Sequence, residues 1–444
     1  MPPLSASPAP TRSGAPTKLS LGVIFLTLYI DLIGFSIAFP LAPRMLQYYL
    51  EKESASGPLA WLISRIQAVT PPAADNTLFV AALLGGVLAS VYGFLQFIFA
   101  PIWGAYSDRI GRRPVLLMTV AGTAASYLLW IFSGSFWLFI VSRVLGGAMS
   151  GNLSVATAAV ADVTTRENRA KGMGLVGAAF GLGFITGPAI GGIIGAVEPG
   201  ADLAAFGINP FSVVAAVALG FSLLNLVWIA LRFRETLSPE DAGRAQAERS
   251  RNPLGALLTL GNAATRRANI AYFLFALVFS AFEATVSFLA AERLGYDERG
   301  LVSVFVFIGF VSILTQGVLV RRLMPRIGER TGALGGMLLI ALALALLGQA
   351  QRAPMLYTGL ALLGLGSGFA NVGLSSLVSL YSSAAEQGRA IGIYRSLGSL
   401  ARALGPLWAG LVFWWYKSAP MYTVAALLML VPILVGIGLP KPKK

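Results

Sequence analysis

The chain of 444 residues contains no cysteine and no histidine, and only 12% of its residues are charged. Each shortage excludes something. Without cysteine there are no disulfides and no thiolate metal sites, and the redox state of the compartment leaves no mark. Without histidine, the side chain that ordinarily changes charge near neutral pH is missing, so any proton chemistry falls to carboxylates or lysine. Soluble domains carry about 25% charged residues. A chain with half that share, and with 56% hydrophobic residues, is an integral membrane protein. It also has no G-x-x-x-x-G-K-[ST] segment, so ATP does not drive it directly. No enzyme activity, cofactor or metal is expected.

What is present is a series of long apolar runs. A spanning helix needs about twenty apolar residues. Twelve runs qualify, near 19–41, 78–104, 114–133, 135–162, 170–196, 209–232, 268–291, 299–321, 332–350, 354–381, 389–416 and 419–439. The expected fold is all-α, with twelve spanning helices in two six-helix bundles.

The formal charge of +14 could suggest nucleic acid, but the positions of the charges give another reason for it. Of the 33 Lys and Arg residues, Arg143, Arg395 and Arg402 lie inside helices. Arg44, Lys52, Arg65, Arg293, Arg299, Arg352 and Lys417 fall in loops on one side, and the remaining 23 fall on the side of the termini. Basic residues collect on the cytoplasmic side, which predicts cytoplasmic termini in a cell or inner membrane and no nucleic-acid partner.

Residues 1–18, rich in proline, read as a cytoplasmic tail without the apolar centre of a signal peptide. Two six-helix units, 19–232 and 268–439, flank a polar cytoplasmic linker at 233–267, and 440–444 form a basic tail. Within 42–77, "PLAWLISRI" reads either as an interfacial helix or as a covering loop. The units repeat. "RIGRR" at 109–113 returns as "RIGER" at 326–330, Gly187-Pro188 as Gly405-Pro406, and Gly147 and Asn152 as Gly366 and Asn371. Offsets of 217, 218 and 219 in corresponding helices indicate a duplicated unit. Parallel repeats with a site between them are a transporter architecture.

Between the second and third helices stands "GAYSDRIGRR", 104–113. A carrier needs two packings of similar energy, and a charged knot on one face can hold one and release the other. Asp108 can accept bonds from Arg109, from Arg112, or from the first amides of the eleventh helix across the seam. Gly104 and Gly111 allow close approach and a tight turn. Arg112 and Arg113 alone could be topological charges, but an acid contributes little to orientation. Pro325 replaces Asp108 in the second copy, so that copy is degenerate. In the fifth helix Gly183, Gly187, Gly191 and Gly192 form a stripe for close packing, loosened by Pro188.

These segments resemble a known family. "GAYSDRIGRR" is similar to the loop signature of the major facilitator superfamily. "GPAIGG" at 187–192 resembles the fifth-helix motif of its drug–proton antiporter branch. "DLIGFSIAFPLAP" from Asp31, Arg143 at the start of the fourth helix and "YRSLGSLARALGP" at 394–406 resemble the tetracycline-transporter-like group. The resemblance implies alternating access by the two bundles, and places the fifth-helix motif at the interface between them. The animal member of this group is associated with organic anions.

Charges in spanning helices cost at least ~2.5 kcal/mol each, so the exceptions carry information. Asp31 shares a stripe with Thr27, Gly34 and Ala38, and Glu283 with Ser280 and Ser287; repeat logic sets the two acids at similar depth. Arg143 heads a stripe with Gly147, Ser150 and Ser154, and Arg395, Gly398, Arg402 and Gly405 share a face. All these stripes are expected to face a central cavity, with Asp31, Glu283 and Arg143 coupling protons. The alternative is that the acids and arginines are fixed ion pairs. An acid among apolar groups takes up a proton more readily than one in water. The expected function is export of amphipathic organic compounds by proton antiport, by a monomer in the bilayer. Organic-anion transport, coupled or facilitated, is the second reading, and a sensor or scaffold that moves nothing is a remote third.

Overall fold

The computed structural model describes residues 18–53, 60–61, 64–65, 68, 77–164, 169–197, 199–237, 262–382 and 387–441. The proline-rich tail, most of the linker and the last three residues lie outside these.

Among the described residues, twelve helices are long and apolar enough to cross a membrane: Leu21–Glu53, Thr77–Ile110, Arg112–Ile131, Phe136–Val163, Leu175–Ile194, Ser212–Arg232, Ala263–Leu294, Glu298–Ile327, Glu329–Gly348, Ala353–Tyr381, Ala390–Tyr416 and Ser418–Ile437. A backbone in hydrocarbon must satisfy its own N–H and C=O groups, and a helix does so within each run.

Three of these helices differ from the expected runs. The first does not end in a loop near residue 42. Its main segment, Lys18–Ser36, passes through a 3-10 turn at Phe39–Leu41 and continues as Ala42–Glu53. Pro40 sits in the first positions of that turn, where a missing N–H does no harm. The fourth is broken at Ser150–Gly151, between Phe136–Met149 and Asn152–Val163. At the break a Cβ on Gly151 would lie 2.5 Å from the Trp103 side chain, and the Trp103 indole donates to the Ala148 carbonyl at 2.7 Å. The eighth carries a π-helical segment, Thr315–Leu319, before ending at Ile327. In "PLAWLISRI", the described positions 60, 61, 64 and 65 are helical, with Trp61 exposed and the Arg65 guanidinium 5.7 Å from its ring.

The repeat is written into the hydrogen bonds. Ser36 Oγ donates to the Gly183 carbonyl at 3.0 Å, tying the first helix to the fifth. Ser280 Oγ donates to the Ala401 carbonyl at 3.0 Å, tying the seventh to the eleventh. Gly111 and Gly328 both precede a helix with positive φ, at 106° and 82°. Arg113 and Arg330 each donate to a carbonyl of the last helix of their half, Ala230 and Ile437.

These pairs correct the alignment of the two acids. Ser36 and Ser280 are equivalent, so Glu283 matches Phe39 rather than Asp31. At 1.5 Å per residue, eight residues put Glu283 roughly 12 Å farther from the side of the termini.

The halves meet most closely away from the termini. Gly86 of the second helix lies so near the eleventh that a Cβ would strike the Pro406 carbonyl, and one on Gly93 would stand 2.6 Å from the Arg402 carbonyl. A Cβ on Gly192 of the fifth helix would collide with Val302 of the eighth. Arg44 Nη1 reaches Glu298 Oε1 at 2.9 Å, and Ser287 Oγ donates to the Phe39 carbonyl at 3.1 Å. This side, distal to the termini, is closed.

Candidate functional site

Asp31 is partly buried in the first helix, and Asn152 opens the second segment of the fourth. Asn152 Nδ2 donates to Asp31 Oδ1 at 2.8 Å. No cation lies within ion-pair distance of Asp31 among the described residues. The charge of Asp31 is felt by Tyr92 of the second helix and Tyr127 of the third, which also feel Arg143.

Arg143 is not on an open cavity stripe. Its guanidinium sits in an aromatic cage, 4.7 Å from the Trp130 ring, 5.4 Å from Phe139 and 5.9 Å from Tyr127. Ring faces attract a desolvated cation strongly enough to hold it without an acid. Among the described residues its Nε reaches only Ser142 Oγ, at 3.3 Å, and its Nη2 is buried with no hydrogen-bond partner. Two other members of its stripe face inward onto protein: Gly147 packs on Leu95 and Tyr92, and Ser150 Oγ donates to the Gly147 carbonyl at 2.6 Å.

In the second half, Glu283 and Arg402 are electrostatic neighbours but make no ion pair within 4 Å among the described residues. Arg402 crosses the seam instead. Its Nε points to Gln96 Oε1 of the second helix at 3.4 Å, and its Nη2 to Ser399 Oγ at 3.3 Å. Arg395 crosses nearer the termini, donating to Thr157 Oγ1 of the fourth helix at 2.5 Å. Tyr272 and Tyr394, stacked with ring centroids 3.5 Å apart, stand by these arginines. Ser280 and Ser287 belong elsewhere: both are buried and spend their hydroxyls on the Ala401 and Phe39 carbonyls, so they seal helix seams rather than line a space.

Among the described contacts, the knot at 104–113 joins residues of one half. Arg112 contacts Asp108, donates to Asp162 Oδ2 at 2.9 Å, and reaches Ser107 Oγ at 2.7 Å. Asp108 and Arg112 are both buried, whereas Arg109, an alternative donor in the sequence, is exposed. Gly104 is buried in the second helix. A residue assigned to the linker completes the knot: Glu235 accepts from the backbone amides of Arg112 at 2.8 Å and Arg113 at 3.0 Å. It caps the positive end of the third helix. A Cβ on Gly111 would strike its carboxylate, a second reason, besides its φ, for glycine there.

The fifth-helix stripe also divides. Gly183, Gly187 and Gly191 pack on Leu32, Ser36 and Ile37 of the first helix, inside their own half, and Gly192 alone of the four meets the other half. Gly187 is followed by Pro188, carried inside the helix without interrupting it.

Charge alone could have found Asp31, Glu283 and the arginines. Asn152, Gln96 and Thr157 are neutral polar residues in spans, visible in the sequence but not as charges. Glu235 was hidden by its place just past the sixth helix.

The family model for the Major Facilitator Superfamily matches residues 24–406 and, in a second match, 317–444. Major facilitator superfamily domain-containing protein 10 of Mus musculus is 34% identical over 437 residues, covering 93% of this chain and 91% of the relative. The class B tetracycline resistance protein of Escherichia coli is 28% identical over 398 residues, covering 89% and 88%. The crystal structure of the human organic anion transporter MFSD10 (TETRAN) superposes with a TM-score of 0.73 at 31% identity, covering 95% of this chain and all of that one. With twelve apolar helices and this match along its length, the chain is an integral multi-pass membrane transporter, not an enzyme, and belongs to the major facilitator superfamily.

Proposed function

We propose that this transporter moves amphipathic organic anions by alternating access and exchanges them for protons taken up at Asp31 and Glu283. The observation that carries the reading is the pair of arginines, Arg395 and Arg402, reaching across the seam between the halves. The contacts of Arg402 with Gln96 and Ser399 are long and neutral, and an anionic ligand would replace them with charge-assisted bonds. The aromatic groups beside them suit an apolar body attached to that anion. The human organic anion transporter, 31% identical, supports the substrate class.

Asp31 and Glu283 lack a contacting cation among the described residues, and an ionised acid so placed is costly unless it is protonated for part of the cycle. The test is uptake into proteoliposomes with and without a pH gradient, using an anionic compound and its neutral amide or ester. Arg402→Ala is expected to lower uptake of the anion tenfold or more, about 1.4 kcal/mol, and to leave the neutral analogue unchanged. Equal loss of both contradicts the anion reading.

A second reading, efflux of drugs without regard to charge, is favoured by the class B tetracycline resistance protein, 28% identical. The same assay decides it, because Arg402→Ala would then not discriminate. With termini and linker cytoplasmic, as the basic residues suggest, the closed distal side faces out. Cysteines introduced singly at exposed positions of this cysteine-free chain would report the orientation to impermeant thiol reagents.

A further inference from the structure

Asp31 has a partner that a search for charges passes over. Asn152 is 3% exposed and follows directly on the break in the fourth helix. Its Nδ2 donates to Asp31, while its Oδ1 is buried with no hydrogen-bond partner among the described residues. A buried amide oxygen left in this way costs free energy, and native interiors rarely tolerate it without a reason. The reason follows from the chemistry of the pair. A carboxylate only accepts hydrogen bonds, whereas a protonated carboxyl also donates one. A primary amide carries a donor and an acceptor on one planar fork, and half a turn about its last torsion exchanges them. Beside an ionised Asp31 the amide presents N–H. Beside a protonated Asp31 it can present the oxygen that is now unused.

We propose that Asn152 is a positioning residue that keeps Asp31 hydrogen-bonded in both of its charge states, by rotating its amide as the acid gains or loses a proton. The inference rests on the reading of Asp31 as a proton carrier. One O–H bond forms on the Asp31 carboxylate when the proton arrives from solvent, that O–H donates to Asn152 Oδ1, and the reverse occurs on release.

Besides burial itself, the Asn152 amide is the side-chain influence on Asp31 among the described residues. Tyr92 and Tyr127 are the titratable groups that feel Asp31 from the second and third helices. Arg143 is held by its aromatic cage and acts on those tyrosines, and Arg402 acts on Tyr92 across the seam. The fifth helix has its ionisable residues, Arg169 and Lys171, in its first turn, and the sixth has Arg232 in its last. Neither brings a charge to the level of Asp31.

Infrared titration of the full chain in lipid tests this directly. The C=O stretch of protonated Asp31 is the carboxylic band that disappears in Asp31→Asn. In Asn152→Ala both bonds are lost, and the charge-assisted N–H···O⁻ bond is the stronger of the two, so the carboxylate loses more and the band is expected to persist to higher pH, by about one pH unit. The pH profile of gradient-driven uptake is expected to move the same way. Asn152→Gln, which keeps the amide, is expected to restore part of the shift. In an Asp31→Asn background, Asn152→Ala is expected to leave the pH profile where that background puts it. If Asn152→Ala does not fold, Asn152→Ser, whose hydroxyl is too short to span the pair, is expected to shift the band in the same direction. A residue that only starts a helix would lower stability and leave the band in place, and an unmoved band in a folded variant overturns the inference. Uptake that ignores a pH gradient in the wild type would instead refute proton coupling, while the band still decides what Asn152 does.

Discussion

Asn152 and Asn371, paired by the sequence repeat at an offset of 219, do different things. Asn152 follows a broken helix and donates to an acid on another helix. Asn371 lies inside the continuous helix Ala353–Tyr381 and donates to the Ser367 carbonyl of its own helix, at 3.1 Å. The loops differ in the same manner. Both place a glycine with positive φ before a helix and send an arginine to the last helix of the half. Among the described residues, only the first adds the buried pair Asp108 and Arg112, with Asp162 and the exposed Glu235 bonded to Arg112. The duplicated unit therefore supplies the scaffold, and polar residues present in one copy supply the chemistry.

That asymmetry can be broken most forcefully at Arg112. Removing one partner of a buried ion pair strands the other, at a cost of roughly 3–5 kcal/mol. Arg112→Ala is expected to lower the melting temperature in detergent sharply and to reduce expression. Glu329 is the equivalent residue of the second copy, and Glu329→Ala is expected to cost under about 1 kcal/mol. Similar losses for both would mean that the first knot is no more structural than its degenerate copy.

A smaller effect is expected at the cap. Glu235→Gln keeps the shape but gives up the charge of an exposed carboxylate facing two helix-end amides, worth roughly 0.5–1 kcal/mol. Thermal denaturation of the purified variant should show a modest fall that is smaller at high salt, because Glu235 is open to solvent. No change in melting temperature would place Glu235 outside the knot's energetics. The smallest effect is expected at Asn371. Its bond is within its own helix, and Asn371→Ala should cost under about 1 kcal/mol and leave the pH profile of uptake in place. A shifted profile would make the two halves functional equals.

Most of the fold was legible because hydrocarbon imposes it. Twelve apolar runs, and the repeat of RIGRR as RIGER, required no tertiary information. The break at Ser150–Gly151 was not legible, because it depends on Trp103 of another helix filling the gap and bonding to Ala148. The depths of the acids were not legible because the repeat matches the first helix to the seventh without fixing their register. The serines that do correspond, Ser36 and Ser280, reveal themselves only through their bonds to the fifth and eleventh helices. Arg143 was visible as a buried cation, but its cage joins rings from three places in the sequence. Drug efflux was the first reading of the sequence and organic-anion transport the second. We propose the opposite order because Arg395 and Arg402 cross the seam between the halves.

The central claim is that Asp31 and Glu283 carry protons rather than hold the fold. It is tested most directly by measuring uphill uptake under a pH gradient and downhill exchange on the same purified Asp31→Asn, Glu283→Gln and double variants. A neutral amide mimics the protonated acid and lets the carrier reorient without a proton. The account predicts that at least one single variant loses uphill uptake while exchange continues. Full pH-driven accumulation by both single variants and by the double variant would contradict it.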